Sequence, residues 1–262
     1  MSIRPEERRT AAAYDRWLRG GSPGRVLMRA LRAPLSTYLF NTPVLDLPHE
    51  VALRPGHRVL DLGCGAGGLA QTLAARAGLR HDPVGIDVSR EMVRLAAREL
   101  GRGRRVQLVA AGASRLPFAD ESFHLVLAAH LFRHLEDDTL YRVLLEAQRV
   151  LKPRGIVLGW EFAPTSSEKL NRLNGRLLLP HRAPLHLRGF AALAPYAVEV
   201  GFRHIDRLRF RLPFLFPPIP HVVVMFQKGR ETPDPVGDED AGGRGALRSA
   251  KLGADEVGQQ PR

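Results

Sequence analysis

Cysteine, lysine and long apolar runs are all scarce in this sequence of 262 residues. The one cysteine, Cys64, can form no disulfide within the chain and no zinc site built from several thiolates. No run of 18 apolar residues occurs, because the longest candidate, residues 213–226, contains four prolines and a histidine. The first residues offer no apolar signal-peptide core. These absences exclude a disulfide-stapled domain and a helical membrane span, and they predict a reducing, cytoplasmic setting.

The positive charge is carried almost entirely by arginine, with 35 arginines against four lysines and a formal net charge of +12. Surfaces that bind nucleic acid often cluster both residue types on one face among aromatic side chains. Here the arginines are spread through every segment, and aromatic residues make up only 6% of the chain. We therefore favour a compositional bias over a nucleic-acid partner. An anionic substrate or acidic lipid headgroups stay open as alternatives.

Hydrophobic residues make up 44% of the chain, and their spacing divides it into three parts. Apolar pairs that recur every three to four residues predict an N-terminal helical cap over residues 1–55. Residues 229–262 are rich in glycine, proline and acids, which predicts a disordered tail. Between these parts, residues 56–228 alternate short apolar runs with helical stretches, and this pattern predicts the main domain.

The pattern of the main domain is typical of an α/β protein with a doubly wound, mostly parallel sheet covered by helices on both faces. The apolar runs that predict buried strands cover residues 58–62, 83–87, 106–110, 123–128 and 155–160. The helical stretches cover residues 67–78, 90–101, 137–151 and 188–200. Two more strand candidates, 204–212 and 221–227, predict an antiparallel hairpin at one edge. The expected sheet therefore has seven strands.

The segment LDLGCGAGG joins the end of the first predicted strand to a glycine-rich turn. Glycines let the backbone approach a ligand at the carboxyl end of a strand, where open α/β sheets bind their ligands. Gly63, Gly65 and Gly68 also satisfy the GxGxxG pattern of nicotinamide dinucleotide sites, which is weak alone. Asp61 argues against a dinucleotide, because a carboxylate at this turn would repel a pyrophosphate. S-adenosylmethionine carries an ammonium and a sulfonium and no phosphate, so it fits.

Asp87 ends the second predicted strand, 26 residues after Asp61. An acid at that strand end can accept hydrogen bonds from both hydroxyls of a ribose. Dinucleotides and S-adenosylmethionine share this feature, so Asp87 predicts a nucleoside ligand without choosing between them.

Five segments in order resemble the class I S-adenosylmethionine-dependent methyltransferases, in particular the group similar to ubiquinone/menaquinone-biosynthesis methyltransferases. The segments are LDLGCGAG, GIDVSREM (85–92), SRLPFADESFHLV (114–126), HLFRHLED (130–137) and RVLKPRG (149–155). They span about residues 55–160. The resemblance implies the doubly wound fold, S-adenosylmethionine as the cofactor and methyl transfer as the activity.

The resemblance also implies a set of cofactor-binding residues. Asp61 and the backbone of Gly63, Cys64 and Gly65 would hold the methionine end, and Asp87 would take the ribose. The remaining residues implied by the resemblance are Val88 and Met92 packing on adenine, Ala129 offering its carbonyl to the methionine amine, and Tyr14 reaching the cofactor carboxylate.

Some positions depart from the family pattern. Gly112 stands where the family has an acid that contacts the adenine amino group, with Ala113 offering a backbone amide and Ser114 a hydroxyl nearby. His124 replaces an aspartate, and the glycine pair of the last turn reads Arg154-Gly155. These departures motivate a non-catalytic, cofactor-binding homologue as one alternative.

His130, His134 and Glu161 are the candidate catalytic residues, since each follows a predicted strand at the expected substrate face. The two histidines lie four residues apart and are expected to share a helix face. No third ligand has suitable spacing, so we predict no metal site. Structural hydrogen bonding is the alternative role for each residue. His181 and His186 are weaker candidates in the segment after the fifth strand.

The leading hypothesis is methyl transfer to a small, apolar or aromatic acceptor by in-line displacement. An RNA or protein methyltransferase is the alternative suggested by the positive charge, although no separate nucleic-acid module is visible. Apolar stretches at residues 26–47 and 212–219 predict core or lid packing, with a substrate channel or peripheral membrane contact as the alternatives. The arginines at positions 25, 29 and 32 would suit anionic headgroups.

Overall fold

The computed structural model describes residues 3–18, 47, 51–103, 105–178, 186–208 and 220–230. Several predictions lie outside these residues: the apolar stretch at 26–47 apart from residue 47, the apolar loop at 212–219, His181 and the tail from residue 231 onward. Of the predicted N-terminal cap, one helix is described, α1 (Pro5–Leu18).

Seven strands and six helices are described, and their order follows the alternation predicted from the sequence. The strands are β1 (Val59–Leu62), β2 (Val84–Asp87), β3 (Gln107–Ala110), β4 (Phe123–Ala129), β5 (Leu151–Phe162), β6 (His204–Leu208) and β7 (His221–Gln227). After α1, the helices are α2 (Gly68–Arg76), α3 (Arg90–Leu100), α4 (Asp137–Val150), α5 (Glu168–Leu178) and α6 (Phe190–Val200). Helix α5 was not predicted.

The strands form one sheet in the order β3-β2-β1-β4-β5-β7-β6. The first five are parallel, whereas β7 runs antiparallel between β5 and β6, so the predicted edge hairpin is confirmed. The chain winds from β1 outward to β3 and then returns to place β4 on the other side of β1. The carboxyl ends of β1 and β4 therefore mark the topological switch point, where open α/β sheets bind ligands.

Apolar residues pack on both faces of the sheet and form two core clusters. One cluster lies under α4 and α6, and the other includes residues of α2. Trp160, Phe123, Phe132 and Phe226 are the largest fully buried side chains. None of the helices within the described ranges is long and apolar enough to cross a membrane.

Local sequence explains where the helix beside β2 begins and ends. Ser89 caps α3, because its Oγ accepts a hydrogen bond from the Met92 amide at 3.0 Å. Gly101 ends the helix with a φ of 66°, which a residue with a side chain rarely adopts. The cap fixes the position of the loop that follows Asp87.

Candidate functional site

The glycine turn after β1 doubles back tightly at the switch point. Gly63, Gly65 and Gly67 all have positive φ, at 68°, 52° and 75°. A Cβ on Gly67 would lie 2.8 Å from the Leu100 side chain, so the turn also has no room for a larger residue. Helix α2 begins directly after it at Gly68, one residue after the start of the predicted helical stretch.

Asp61 lies under this turn and is only 1% exposed. Its Oδ2 has no hydrogen-bond partner among the residues that the structure describes. Burial, with the neighbouring Asp87 carboxylate adding to it, raises the pKa of Asp61 to about 8. A buried carboxylate in this state pairs favourably with a cation brought by a ligand.

Asp87, at the carboxyl end of β2, holds the neighbouring loops together. Its Oδ2 accepts a hydrogen bond from the Gly65 amide at 3.1 Å, and its Oδ1 accepts one from the Ser89 amide at 2.8 Å. Burial raises its pKa to about 6, although these two amides oppose the shift. Two neighbouring acidic side chains at this edge disfavour a pyrophosphate and favour a cationic nucleoside.

Cys64 fills the inside of the turn. Its amide donates to the Ile86 carbonyl at 2.8 Å, and a Cβ on Gly85 would lie 2.9 Å from its Sγ. Burial raises the pKa of the thiol well above its usual value. These contacts are those of a small packing residue.

A buried charged cluster lies at the ends of β4 and β5. Glu161, 1% exposed, accepts hydrogen bonds from the Arg133 guanidinium at 2.8 Å and the Arg133 amide at 3.1 Å. His130 Nδ1 lies 3.5 Å from Glu161 Oε1, and the His130 ring stacks on Phe162 with the ring centroids 4.5 Å apart. Burial opposes ionisation of Glu161, but Arg133 and His130 outweigh it and hold its pKa below the usual range.

The prediction that His130 and His134 share a helix face is wrong. His130 has a φ of 55°, and only the short 3-10 turn Phe132–His134 follows it. The left-handed backbone turns the two side chains to different partners: His130 faces Glu161, whereas His134 Nε2 lies 3.3 Å from the Tyr14 hydroxyl.

Helix α1 crosses the carboxyl edge of the sheet and brings side chains to several strand ends. Tyr14 is partly buried, and desolvation raises the pKa of its hydroxyl to about 12. Asp15 accepts a hydrogen bond from Ser89 Oγ at 2.5 Å, which ties α1 to the loop after β2. Tyr14 thus lies at the predicted site, beside His134.

The sequence did not identify Glu7, which is 5% exposed. Its carboxylate accepts hydrogen bonds from Ser114 Oγ at 2.6 Å and from the Ser114 amide at 3.1 Å. A Cβ on Gly112 would lie 2.8 Å from Glu7 Oε2. Helical spacing could have indicated this residue, because Glu7 precedes Tyr14 by two helical turns and shares its face.

The other residues of the predicted site are spread around the same sheet edge. Val88 follows β2 and is partly exposed, Met92 and Ala113 are buried, and Ala129 ends β4 opposite Trp160 of β5. The amide of His186 donates to the Arg133 carbonyl at 2.8 Å. Within the described ranges, no group of three or more His, Cys, Asp and Glu side chains is arranged to hold a metal ion.

His124 lies at the start of β4, at the opposite edge of the sheet from these residues. Its Nδ1 accepts a hydrogen bond from the Arg58 amide at 3.0 Å, and its ring stacks on His57 with centroids 4.4 Å apart. Burial, reinforced by nearby positive charges, lowers its pKa to about 4. The departure at His124 therefore leaves the cofactor edge untouched.

Residues 59–155 match the protein family described as "Methyltransferase domain". The match contains the glycine turn, Asp61 and Asp87. Residues 59–155 thus form a methyltransferase domain, similar to those of the class I S-adenosylmethionine-dependent methyltransferases. A solved structure of phosphoethanolamine N-methyltransferase 2 from Haemonchus contortus, in complex with S-adenosyl-L-methionine, shares the fold of this chain. It has a TM-score of 0.65 and 18% identity, and the match covers 83% of this chain and 60% of that one.

Two curated relatives are similar to this chain over part of their length. The 24-methylenesterol C-methyltransferase 2 of Oryza sativa subsp. japonica is 32% identical over 173 residues, which cover 63% of this chain and 46% of the relative. The ubiquinone/menaquinone biosynthesis C-methyltransferase of Cupriavidus necator is 35% identical over 115 residues, covering 44% and 46%. The chain thus spans about half the length of the curated relatives it matches.

Proposed function

We propose that this protein transfers a methyl group from S-adenosylmethionine to a small-molecule acceptor. The observation that carries the proposal is the buried Asp61 carboxylate, whose Oδ2 lacks a partner among the described residues at the switch point. An ammonium group there would neutralise the charge that burial disfavours. Asp87 lies one strand away and would accept hydrogen bonds from the ribose hydroxyls. The residues present fit this cofactor better than they fit a dinucleotide.

The bound cofactor supplies an activated methyl group on a sulfonium. The protein then has to hold and align the acceptor and exclude water from it. The rigid glycine turn fixes the methionine end, and α1 covers the edge of the sheet through Tyr14 and Asp15. Methyl transfer by in-line displacement needs this alignment more than it needs proton chemistry.

The acceptor that we propose is apolar or aromatic. Phe162, His130 and His221 place three rings together at the ends of β5 and β7, with the Phe162 and His221 centroids 4.8 Å apart. Rings in this arrangement offer flat, weakly polar contact surface. Two relatives are named as C-methyltransferases in sterol and quinone chemistry. A sterol, a reduced quinone or a phenol is therefore the acceptor class to test.

His130 is the base that we propose for an acceptor that must lose a proton. Glu161 faces Nδ1, so Nε2 is the ring nitrogen that would take the proton. Glu161 itself is held as an anion by Arg133, and its lowered pKa makes it a weak proton acceptor. We therefore assign Glu161 a positioning role and His130 the catalytic one.

Calorimetric titration tests the cofactor site directly. We expect wild-type protein to bind S-adenosylmethionine and S-adenosylhomocysteine, and Asp87→Asn to weaken both by about 30-fold, because a charged acceptor for the ribose is lost. Asp206→Asn is the matched control, since Asp206 is exposed on the edge strand β6. Absence of binding by the wild-type protein would overturn the proposed function.

His130→Asn tests the base. With S-adenosylmethionine and a panel of reduced quinones, phenols and sterols, we expect turnover of the accepted compound to fall by about 100-fold. Affinity for S-adenosylhomocysteine should stay within about threefold, since the base acts on the acceptor. His204→Asn, at an exposed histidine of β6, is the control. Unchanged turnover in His130→Asn would remove this residue from the mechanism.

A further inference from the structure

The Glu7 carboxylate occupies the space next to Gly112, at the carboxyl end of β3. The backbone of Gly112 does not adopt the left-handed conformation, so its geometry alone would permit a side chain. What excludes a side chain is Glu7, because an added Cβ would approach both of its carboxylate oxygens to within 2.9 Å. The β3 loop is thus shaped to receive a carboxylate that another element supplies.

Three carboxylates consequently stand at three neighbouring strand ends. Asp61 is the penultimate residue of β1, Asp87 ends β2, and Glu7 reaches the loop after β3 from α1. Neighbouring strands lie about 4.8 Å apart. In the proposed function, the cofactor's cationic end lies at Asp61 and its ribose at Asp87. The base of a nucleoside placed in this direction extends beyond β2 and comes over the end of β3.

The hydrogen bonds of Glu7 leave room for one more donor. Oε2 accepts from Ser114 Oγ at 2.6 Å and from the Arg4 amide at 3.3 Å, whereas Oε1 accepts from the Ser114 amide at 3.1 Å. An ionised carboxylate has about four acceptor positions, two on each oxygen. The fourth position, on Oε1, suits an N–H donor of a ligand.

We infer that Glu7 recognises the adenine amino group of the cofactor and so determines its base specificity. This inference rests on the proposed function. The amino group is the hydrogen-bond donor of a nucleoside-bound adenine ring, and a carboxylate is an acceptor only. Because Glu7 belongs to α1, adenine binding and docking of α1 strengthen each other. The same helix also places Tyr14 beside His134.

The test compares two ligands, S-adenosylhomocysteine and S-inosylhomocysteine, by calorimetric titration. The inosine analogue presents a carbonyl oxygen where adenine presents its amino group, so it meets the Glu7 carboxylate acceptor to acceptor. We expect the wild-type protein to prefer the adenine ligand by about 30-fold, and Glu7→Ala to reduce this preference to about threefold or less. A role limited to holding α1 would weaken both ligands equally and leave the preference unchanged, which would overturn the inference.

Two further variants and one control distinguish base recognition by Glu7 from a structural role. Gly112→Asp in the Glu7→Ala background restores a carboxylate at the β3 loop and should recover most of the base preference. Gly112→Asp alone should push Glu7 out and increase hydrogen exchange in α1. Glu6→Gln is the control, because Glu6 lies on the same helix but accepts a hydrogen bond from the Glu136 amide at the β4 side. If the wild-type protein binds neither ligand, the proposed function fails; if it binds both equally, only this inference fails.

Discussion

Asp61→Asn is expected to stabilise the cofactor-free protein and, at the same time, to remove most of its affinity for S-adenosylhomocysteine. The buried carboxylate is costly without a cation, and the amide carries no charge. We expect a gain on the order of 2–4 kcal/mol in the free energy of unfolding at pH 8, which is less than full linkage would give because asparagine leaves its own amide unpaired. The loss of affinity should be about 1,000-fold, since the ligand ammonium would lose a buried partner.

The pH dependence has a definite sign. Burial raises the pKa of Asp61 from 3.8 to about 8, so folding favours the protonated acid. The contribution of this group to stability is fully present below the unfolded pKa near 4 and is lost as the pH rises through 8. The stability difference between Asp61→Asn and wild type should therefore be smaller at pH 5 than at pH 8.

Urea unfolding at both pH values and calorimetric titration measure these effects. Asp206→Asn is the control, because its exposed carboxylate should change neither quantity. If Asp61→Asn lost stability and kept its affinity, Asp61 would be a structural residue of the turn. That outcome would contradict the site on which the proposed function rests.

Most of the sheet could be predicted from the sequence because parallel strands are buried on both faces and read as apolar runs. β2, β3 and β4 begin and end within one residue of their predicted limits. Helix α5 (Glu168–Leu178) was missed although its leucines recur at helical spacing, because the stretch is polar overall and contains glycine and asparagine. The N-terminal cap was predicted only as a helical region, since its partners lie far away in the chain.

The residues of the site also differ in how far the sequence could predict them. Asp61, Asp87 and the glycine turn were predicted because strand ends and turn glycines leave local signals in the sequence. The position of His130 was predicted but its backbone conformation was not, because a φ of 55° in a histidine follows from tertiary packing. Glu7 and Arg133 escaped notice because their roles arise from contacts between distant segments.

Breaking the buried pair between Glu161 and Arg133 is expected to cost about 3–5 kcal/mol of stability. Glu161→Gln leaves the Arg133 guanidinium buried, 11% exposed, without a compensating charge. Arg133→Met leaves the carboxylate buried in the same way. The double variant should lose much less than the sum of the two single losses, because neither charge then remains. Urea unfolding of the four proteins at pH 7 gives the interaction energy.

An exposed ion pair serves as the control for this cycle. Arg94, 60% exposed, lies 2.6 Å from Glu91 on α3, and Arg94→Met should cost less than about 0.5 kcal/mol. Acid should narrow the stability difference between wild type and Glu161→Gln. The pKa of Glu161 is held below its usual range, so its contribution is present above about pH 4.5 and is lost as the pH falls through the acid range. Additive losses in the double variant would contradict the pair.

The pair also decides what Glu161 does in the mechanism. As a positioning residue it keeps the strained His130 backbone and ring in place, so Glu161→Gln should lower turnover while leaving affinity for S-adenosylhomocysteine nearly unchanged. Asp61 differs because no ion pair with a protein cation is found for it in the part of the chain that the structure describes. Arg133 neutralises Glu161 permanently, whereas Asp61 gains a cation only when a ligand binds. The two carboxylates are both 1% exposed, yet acid should weaken the contribution of Glu161 and relieve the cost of Asp61.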